Sequence, residues 1–263
     1  MRCHVKSAQV TPHMSDKPTT NNEAEGDVDL IVMGRFFPGC GQGVLVEVGA
    51  ARPDYLSISK KFRAAGWRII AIEPNPDFCE LHQKLGHEIL QYACSDRDQD
   101  DVDFFVVDSH GVEYANGNVS FESFSSLGIK GGYQSLKPNL DKRKIKVRVR
   151  RLDSILVAHA PDVTEIDIIS IDVEVWELDV LRGLTASRYR PKVMIIENLF
   201  NEQGYHDHLR KIGYTLWKRL SPNDIYVRND LISPIGRFFC DLMARVSLLF
   251  RRKDALTSIR KKD

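Results

Sequence analysis

The chain has 263 residues, enough for one large α/β domain with a substantial core and flanking segments. Its 43% apolar and 28% charged residues fit a water-soluble globular protein, and a formal net charge of +1 gives no overall attraction to nucleic acid. Five scattered cysteines (Cys3, Cys40, Cys79, Cys94, Cys240) without a C-x-x-C pair speak against a disulfide framework or a zinc site and for a reducing, cytoplasmic compartment. The N-terminal stretch has no apolar run of the kind a secretory leader needs, and no window approaches the roughly 18 apolar residues of a spanning helix.

Residues 1–27 are polar and rich in Thr, Asn, Pro and Glu, which predicts a disordered tail. The apolar stretch from Leu30 to Phe37 then leads into the turn PGCGQG. VLVEVG (44–49) is a continuous apolar run with a polar end, as a buried parallel strand requires. Leu56, Ile58, Phe62 and Ala65 have helical spacing over 54–65, and Gly66 ends that helix. WRIIAIE (67–73) is the second strand, 76–85 a helix, and EILQYACS (88–95) a third strand. Strand–helix–strand alternation of this kind calls for a parallel sheet with right-handed crossovers.

The middle of the chain differs. VDFFVVD (102–108) reads as a strand, 109–139 is rich in Gly, Ser and Asn, and KIKVRVRRL (144–152) alternates charged and apolar residues like a half-exposed antiparallel strand. This predicts a β excursion between strands three and four of the main sheet. IDIISID (166–172) and KVMIIEN (192–198) are further buried strands, with ELDVLRGL (177–184) a helix between them that closes at Gly183. After a helix over 201–212, YTLWKRL (214–220) and DIYVRN (224–229) form a closing antiparallel pair around the SPND turn. From 231 onward Phe238, Phe239, Leu242, Met243, Val246, Leu249 and Phe250 fall on one helical stripe, followed by Arg251, Arg252 and Lys253.

Ligands of open parallel sheets bind outside the carboxyl ends of the strands. The strands end at Glu47 and Gly49, at Glu73, at Cys94, Ser95 and Asp96, at Asp172 and Glu174, and at Glu197 and Asn198. Capping of the following helices is the ordinary explanation for any one of these acids; a shared polar ligand explains the set. Glu73 is the sharpest case, because a carboxylate can accept from both hydroxyls of a ribose. It follows Gly49 at close to the roughly 20-residue spacing of nucleotide-binding fingerprints. The loop GAARPD lacks the G-x-G-x-x-G pattern, and Asp54 at the start of the next helix would repel a pyrophosphate. A nucleoside carrying a cation, such as S-adenosylmethionine, fits better than a dinucleotide, which disfavours a nicotinamide-dependent oxidoreductase.

FFPGCGQGVLVEVGAARPDYLSISKKFRAAGWRIIAIEPNP, RLDSIL and IDIISIDVEVWELDVLRGL…YRPKVMIIEN together resemble the FkbM-type methyltransferases, over about residues 30–228. The resemblance implies a class I (Rossmann-like) methyltransferase domain over 28–230, with a seven-stranded, mostly parallel sheet whose last strand is antiparallel. It implies S-adenosylmethionine as cofactor and methyl transfer to a hydroxyl of a carbohydrate or small metabolite. By position, Glu47, Gly49 and Ala50 would face the methionine part, Glu73 with Pro74 beside it the ribose, and Ser95 and Asp96 the adenine. Asp172 and Glu174 would face the methyl group and the acceptor. One position departs: where the family has a glycine after "DVE", this chain has Val175, awkward if the backbone there needs positive φ. That departure favours a second reading, a catalytically inactive relative acting as a binding module.

For the chemistry, Asp172, Glu174 or His206 could take the acceptor proton. The alternative is a divalent metal held by Asp172, Glu174 and Glu197. His206 and His208 have the solvated face of a helix as their simpler explanation. The stripe in 231–263 has two readings: an amphipathic helix docked on the domain, or a peripheral contact with an anionic membrane through its basic end.

Overall fold

The computed structural model describes residues 24–107, 113–114, 119–120, 125–128, 142–240 and 242. Residues 1–23 of the tail predicted over 1–27, most of the Gly/Ser/Asn-rich stretch 109–139, and 243–263 with the second half of the predicted apolar stripe and its basic cluster lie outside the described residues. Ala24–Asp27, placed in the tail by sequence, instead packs on the domain: Ala24 is fully buried and Glu25–Asp27 forms a 3-10 turn. It leads into α1 (Val28–Phe36).

The first half runs β1 (Val44–Val48), α2 (Ser59–Ala64), β2 (Arg68–Ile72), α3 (Pro76–Lys84) and β3 (Ile89–Leu90). Asn75 caps α3 by accepting the Asp77 N–H at 3.1 Å, and Pro76 occupies its first turn, where a missing N–H costs nothing. α2 is shorter than the sequence predicts. Ala51 and Leu56 adopt left-handed backbone, at φ 44° and 52°, so 51–58 is an irregular loop and the helix starts only at Ser59. Asp54 is therefore not at a helix start; it lies exposed beside Arg52 at 3.4 Å, and the argument from it against a pyrophosphate does not hold.

The predicted strand over 88–95 is two strands. The Tyr92 N–H bonds to the Leu90 carbonyl, a tight turn that takes the chain out of the main sheet. β4 (Ala93–Cys94) then pairs with β8 (Lys142–Arg150), which pairs with β5 (Gln99–Val107), in a separate three-stranded sheet. Along β5 and β8, Phe104, Val106, Val147 and Val149 turn inward, while Lys144 and Lys146 clasp Asp103 on the solvent side. A two-stranded ribbon, β6 (Glu113–Tyr114) and β7 (Val119–Ser120), lies between β5 and β8 in sequence.

The chain then returns to the main sheet: α4 (Leu152–His159), β9 (Ile168–Ile171), α5 (Glu177–Arg182), α6 (Ala186–Tyr189), β10 (Val193–Glu197), α7 (Gln203–Lys211), β11 (Tyr214–Leu220) and β12 (Asn223–Arg228). The seven strands lie in the order β11-β12-β10-β9-β1-β2-β3, with β12 antiparallel to both neighbours and the remaining pairs parallel. Alternate residues of each strand feed two cores. Val46, Ile70, Ile169 and Met194 meet α4, α5 and α7 through Leu156, Leu181 and Leu209. Leu45, Ile69, Ile168 and Ile195 meet α1 and α2 through Val32, Phe36 and Phe62. Among the described residues no helix is long and apolar enough to cross a membrane.

Gly183, just past α5, is needed for space rather than for its φ of −79°: a Cβ there would sit 2.2 Å from the Ser95 carbonyl oxygen. This contact sets α5 against the chain that leaves β4. Gly183→Ala is expected to destabilise the fold by ~1–3 kcal/mol, the usual cost of overpacking against backbone. The urea midpoint measures it, and an unchanged midpoint would show that the contact relaxes freely.

Candidate active site

At the carboxyl ends of β1, β2, β9 and β10 the main sheet opens into a cavity of about 300 Å³. That size is at the lower end of small-molecule sites, which span roughly 300–1,000 Å³. Its floor is backbone. The Gly49 and Ala50 N–H groups both donate to the Ile72 carbonyl, at 2.9 and 3.1 Å. Gly49 has φ 81°, and a Cβ on it would lie 1.8 Å from the Asp172 carbonyl oxygen, so glycine alone allows the ends of β1 and β9 to meet.

Glu73 braces this floor. One carboxylate oxygen accepts the Ala51 N–H at 2.9 Å and the other the Asn75 N–H at 2.8 Å. Each oxygen retains a second lone pair, and the side chain lines the cavity. Burial pushes its pKa up to about 7; the two N–H bonds work against this, and the charges of Asp172 and Glu47 add to it. His82, kept neutral by burial, meets the Ala51 carbonyl at 3.1 Å, so Ala51 is held on both sides. Glu47 is also fully buried and its pKa raised by desolvation. Its Oε1 accepts the Ser59 N–H at 3.0 Å, whereas Oε2 is buried with no hydrogen-bond partner among the described residues.

On the opposite wall, Glu174 and Val175 both adopt left-handed backbone, φ 60° and 71°. Glu177 holds them there: its Oε1 accepts the N–H groups of Val173 and Val175 at 2.8 and 3.2 Å, and its Oε2 accepts the Tyr205 hydroxyl at 2.7 Å. Burial and the nearby Asp172 charge lift the Glu177 carboxyl to about 7. Trp176 donates its indole N–H to the Gly128 carbonyl at 3.0 Å, tying this loop to the inserted segment, whose Phe104, Ser125 and Leu127 also line the cavity.

The structure thus brings Glu47, Gly49, Ala50, Glu73, Pro74, Asp172, Glu174 and Glu197 to one cavity. Ser95, Asp96 and His206 do not line it. The Ser95 N–H bonds to the Arg150 carbonyl and its hydroxyl to Asp96, while Ala93 and Cys94 border the space. His206 is not on a solvated face. It is half-buried, pairs with the Tyr226 hydroxyl, and lies 4.0 Å from the wholly buried Asp224. Asp224 accepts from Arg219 at 2.8 Å and from Asn198 at 2.9 Å, a network behind the lining residues Leu199, Pro222 and Asn223.

Among the described residues, the acids that approach one another closely enough to share a metal ion are Asp172, Glu177 and Glu197, each with an oxygen within 4.8 Å of the others, not the trio with Glu174 that the sequence points to. Both Glu177 oxygens are already engaged by the loop and Tyr205. Glu177 was legible only as the first residue of a helix; its place five residues beyond Asp172 gives no separate signal.

Residues 47–216 match the family described as the methyltransferase FkbM domain. The chain belongs to this family. A crystal structure of methyltransferase FkbM from Methylobacillus flagellatus KT is similar to it at 13% identity and a TM-score of 0.44, over 73% of this chain and 46% of that one. The chain therefore spans less than half the length of that solved structure. No curated protein matches it in sequence.

A valine with positive φ is strained, by ~1–3 kcal/mol at such positions. Val175→Gly removes this while adding the greater flexibility of an unfolded glycine, which offsets ~0.5–1 kcal/mol. The net expectation is a gain of about 1 kcal/mol in unfolding free energy by urea titration. A loss of stability would mean that the Val175 side chain contributes packing that outweighs the strain.

Proposed function

We propose that this FkbM domain is an S-adenosylmethionine-dependent methyltransferase acting on a hydroxyl oxygen of a carbohydrate or other small metabolite. The observation that carries the reading is the acidic cavity with its unsatisfied Glu47 oxygen. Glu47, Glu73, Asp172, Glu174 and Glu197 all line a space of small-molecule size. A buried acceptor without a donor is costly, so the site suits a ligand that brings donors and positive charge. S-adenosylmethionine has both: ribose hydroxyls, an ammonium group and a sulfonium that makes its methyl electrophilic. A pyrophosphate-bearing nicotinamide cofactor would place two negative charges among these acids.

In this reading the free lone pairs of Glu73 accept the ribose hydroxyls, and Glu47 Oε2 faces the ammonium end across the Gly49 turn. The apolar side near Phe78, Tyr92, Ala93 and Cys94 takes the base. Asp172, the one exposed acid of its cluster, is placed to accept the proton of the substrate hydroxyl. Trp176, Leu127 and Leu199 keep water away and hold the acceptor, so that the protein's main contribution is alignment. Val175 does not redirect this wall, because Glu177 keeps the loop in the left-handed form; that favours the active reading over a binding-only relative.

The pH dependence follows from Glu73. Its carboxyl must be ionised to accept two hydroxyls, and in the free protein it titrates at about 7. Bound donors lower that pKa, so binding releases a proton below pH 7, and affinity rises as pH rises through about 7 and then levels. Isothermal titration with S-adenosylmethionine between pH 5.5 and 8.5 (roughly bracketing that value) should show this rise. Glu73→Ala should abolish the binding heat; affinity equal to the parent's would refute the assignment of Glu73.

For the transfer itself, a labelled methyl donor offered with a panel of hydroxylated acceptors should identify a substrate. On that substrate Asp172→Asn is expected to lower kcat by about 10²-fold, the low end for loss of a general base, with cofactor affinity retained. A kcat within a few-fold of the parent's would remove Asp172 from proton transfer.

A further inference from the structure

Beyond β12 the chain makes a 3-10 turn, Asn229–Leu231, and anchors itself through buried Ile232 in the core on the α1 side of the sheet. Residues 234–240 are then helical. Ser233 caps them, its hydroxyl accepting the Gly236 N–H at 3.1 Å, and Pro234 occupies the first turn. The orientation of this helix is the reverse of an ordinary docked one. It sits on the domain through its small residues, Gly236 and Cys240, which are buried. Its large apolar residues point outward: Ile235 is 71% exposed, Phe238 65%, Phe239 50% and Leu242 44%. These four fall on one face at helical spacing, and the sequence keeps the same phase through Met243, Val246, Leu249 and Phe250.

Charge separates the same segment from the rest. Residues 231–263 carry eight Lys and Arg against three Asp and Glu, while residues 1–230 carry 29 against 33. The near-zero net charge of the whole chain therefore hides a strongly basic C-terminal segment beside an acidic body. The outward apolar face on 235–242, in a segment whose sequence also carries Arg237, Arg245, Arg251, Arg252 and Lys253, matches the composition of chains that lie in a membrane interface, apolar side in the acyl boundary and cations at the headgroups. Nucleic acid would use the charges but leave the phenylalanines in water. A second copy would bring two equally basic segments together.

We propose that the helix beginning at Pro234 lies in the surface of an anionic lipid bilayer, Ile235, Phe238, Phe239 and Leu242 entering the acyl boundary, and that the basic residues that follow in the sequence, Arg251, Arg252 and Lys253, add attraction to acidic headgroups. Flotation of the full chain with vesicles tests it. Phosphatidylcholine vesicles containing about one third phosphatidylglycerol should carry the protein, and pure phosphatidylcholine vesicles should not; the bound fraction should fall at about 0.5 M salt, where charges are screened. Phe238→Glu with Phe239→Glu should reduce binding at least about tenfold with the melting temperature unchanged. Arg251→Gln, Arg252→Gln and Lys253→Gln together, which leave the apolar face intact, should erase the preference for anionic vesicles. The proposal is overturned if the full chain floats with neither vesicle, or equally with both. It is also overturned if sedimentation without lipid finds a dimer that the double Phe variant dissociates, since a second copy would then cover the face.

Discussion

An ionised carboxyl group taken out of water needs donors or a cation close by, and around this cavity the donors are mostly backbone N–H groups. Ser59 supplies one to Glu47, Ala51 and Asn75 supply two to Glu73, and Val173 and Val175 supply two to Glu177. All of these donors lie in segments where a strand has ended or a helix is beginning. To reach the acids, the chain at Ala51, Glu174 and Val175 turns left-handed. The acids thus shape the loops as much as the loops present the acids. Gly49 makes this possible by letting β1 close on the Asp172 carbonyl, so that both loops rise from one floor.

The framework was readable because burial in a parallel sheet leaves a simple trace, a continuous apolar run that ends in a polar residue. VLVEVG, WRIIAIE, IDIISID and KVMIIEN each became a strand of the main sheet, within a residue or two of the expected ends. Their terminal acids Glu47, Glu73, Asp172 and Glu197 did converge. The readings that failed were those where backbone conformation, not hydrophobic period, decides. Nothing in the apolar pattern of 54–65 distinguishes a helix from a loop pinned by left-handed Ala51 and Leu56. Nothing in EILQYACS reveals the turn at Tyr92 that sends its second half to another sheet. Glu177 and Asp224 were unreadable for a related reason: a helix start and a hairpin turn are ordinary places for an acid, and only tertiary packing buries these two.

Strain and electrostatic cost are concentrated where the ligand would lie. Of the described non-glycine residues with positive φ, Ala51, Leu56 and Glu174 line the cavity and Val175 adjoins it. The carboxyls of Glu73 and Glu177 are both pushed up to about 7, chiefly by burial and in addition by the charge of Asp172. The acids repel one another, and Glu47 Oε2 has no hydrogen-bond donor among the described residues. Positive charge entering the cavity would relieve all of these terms together. The same accumulation of acids makes phosphate a poor ligand, a conclusion that no longer needs Asp54, which points to solvent beside Arg52.

Val175 stands where the resemblance to the family has a glycine after "DVE". A glycine takes positive φ at little cost, and its replacement by a β-branched residue ordinarily signals that the turn has changed. Here residue 175 takes positive φ although it is valine, because the shape of the loop is dictated from outside. Glu177 accepts the Val173 and Val175 N–H groups on one oxygen, Tyr205 fixes the other, and Trp176 is held by the Gly128 carbonyl. With four bonds fixing the loop, the preference of residue 175 affects how much the conformation costs, not which conformation is adopted. The substitution therefore bears on the stability of the loop, while the path of the chain from Val173 to Val175 is held by the Glu177 carboxylate.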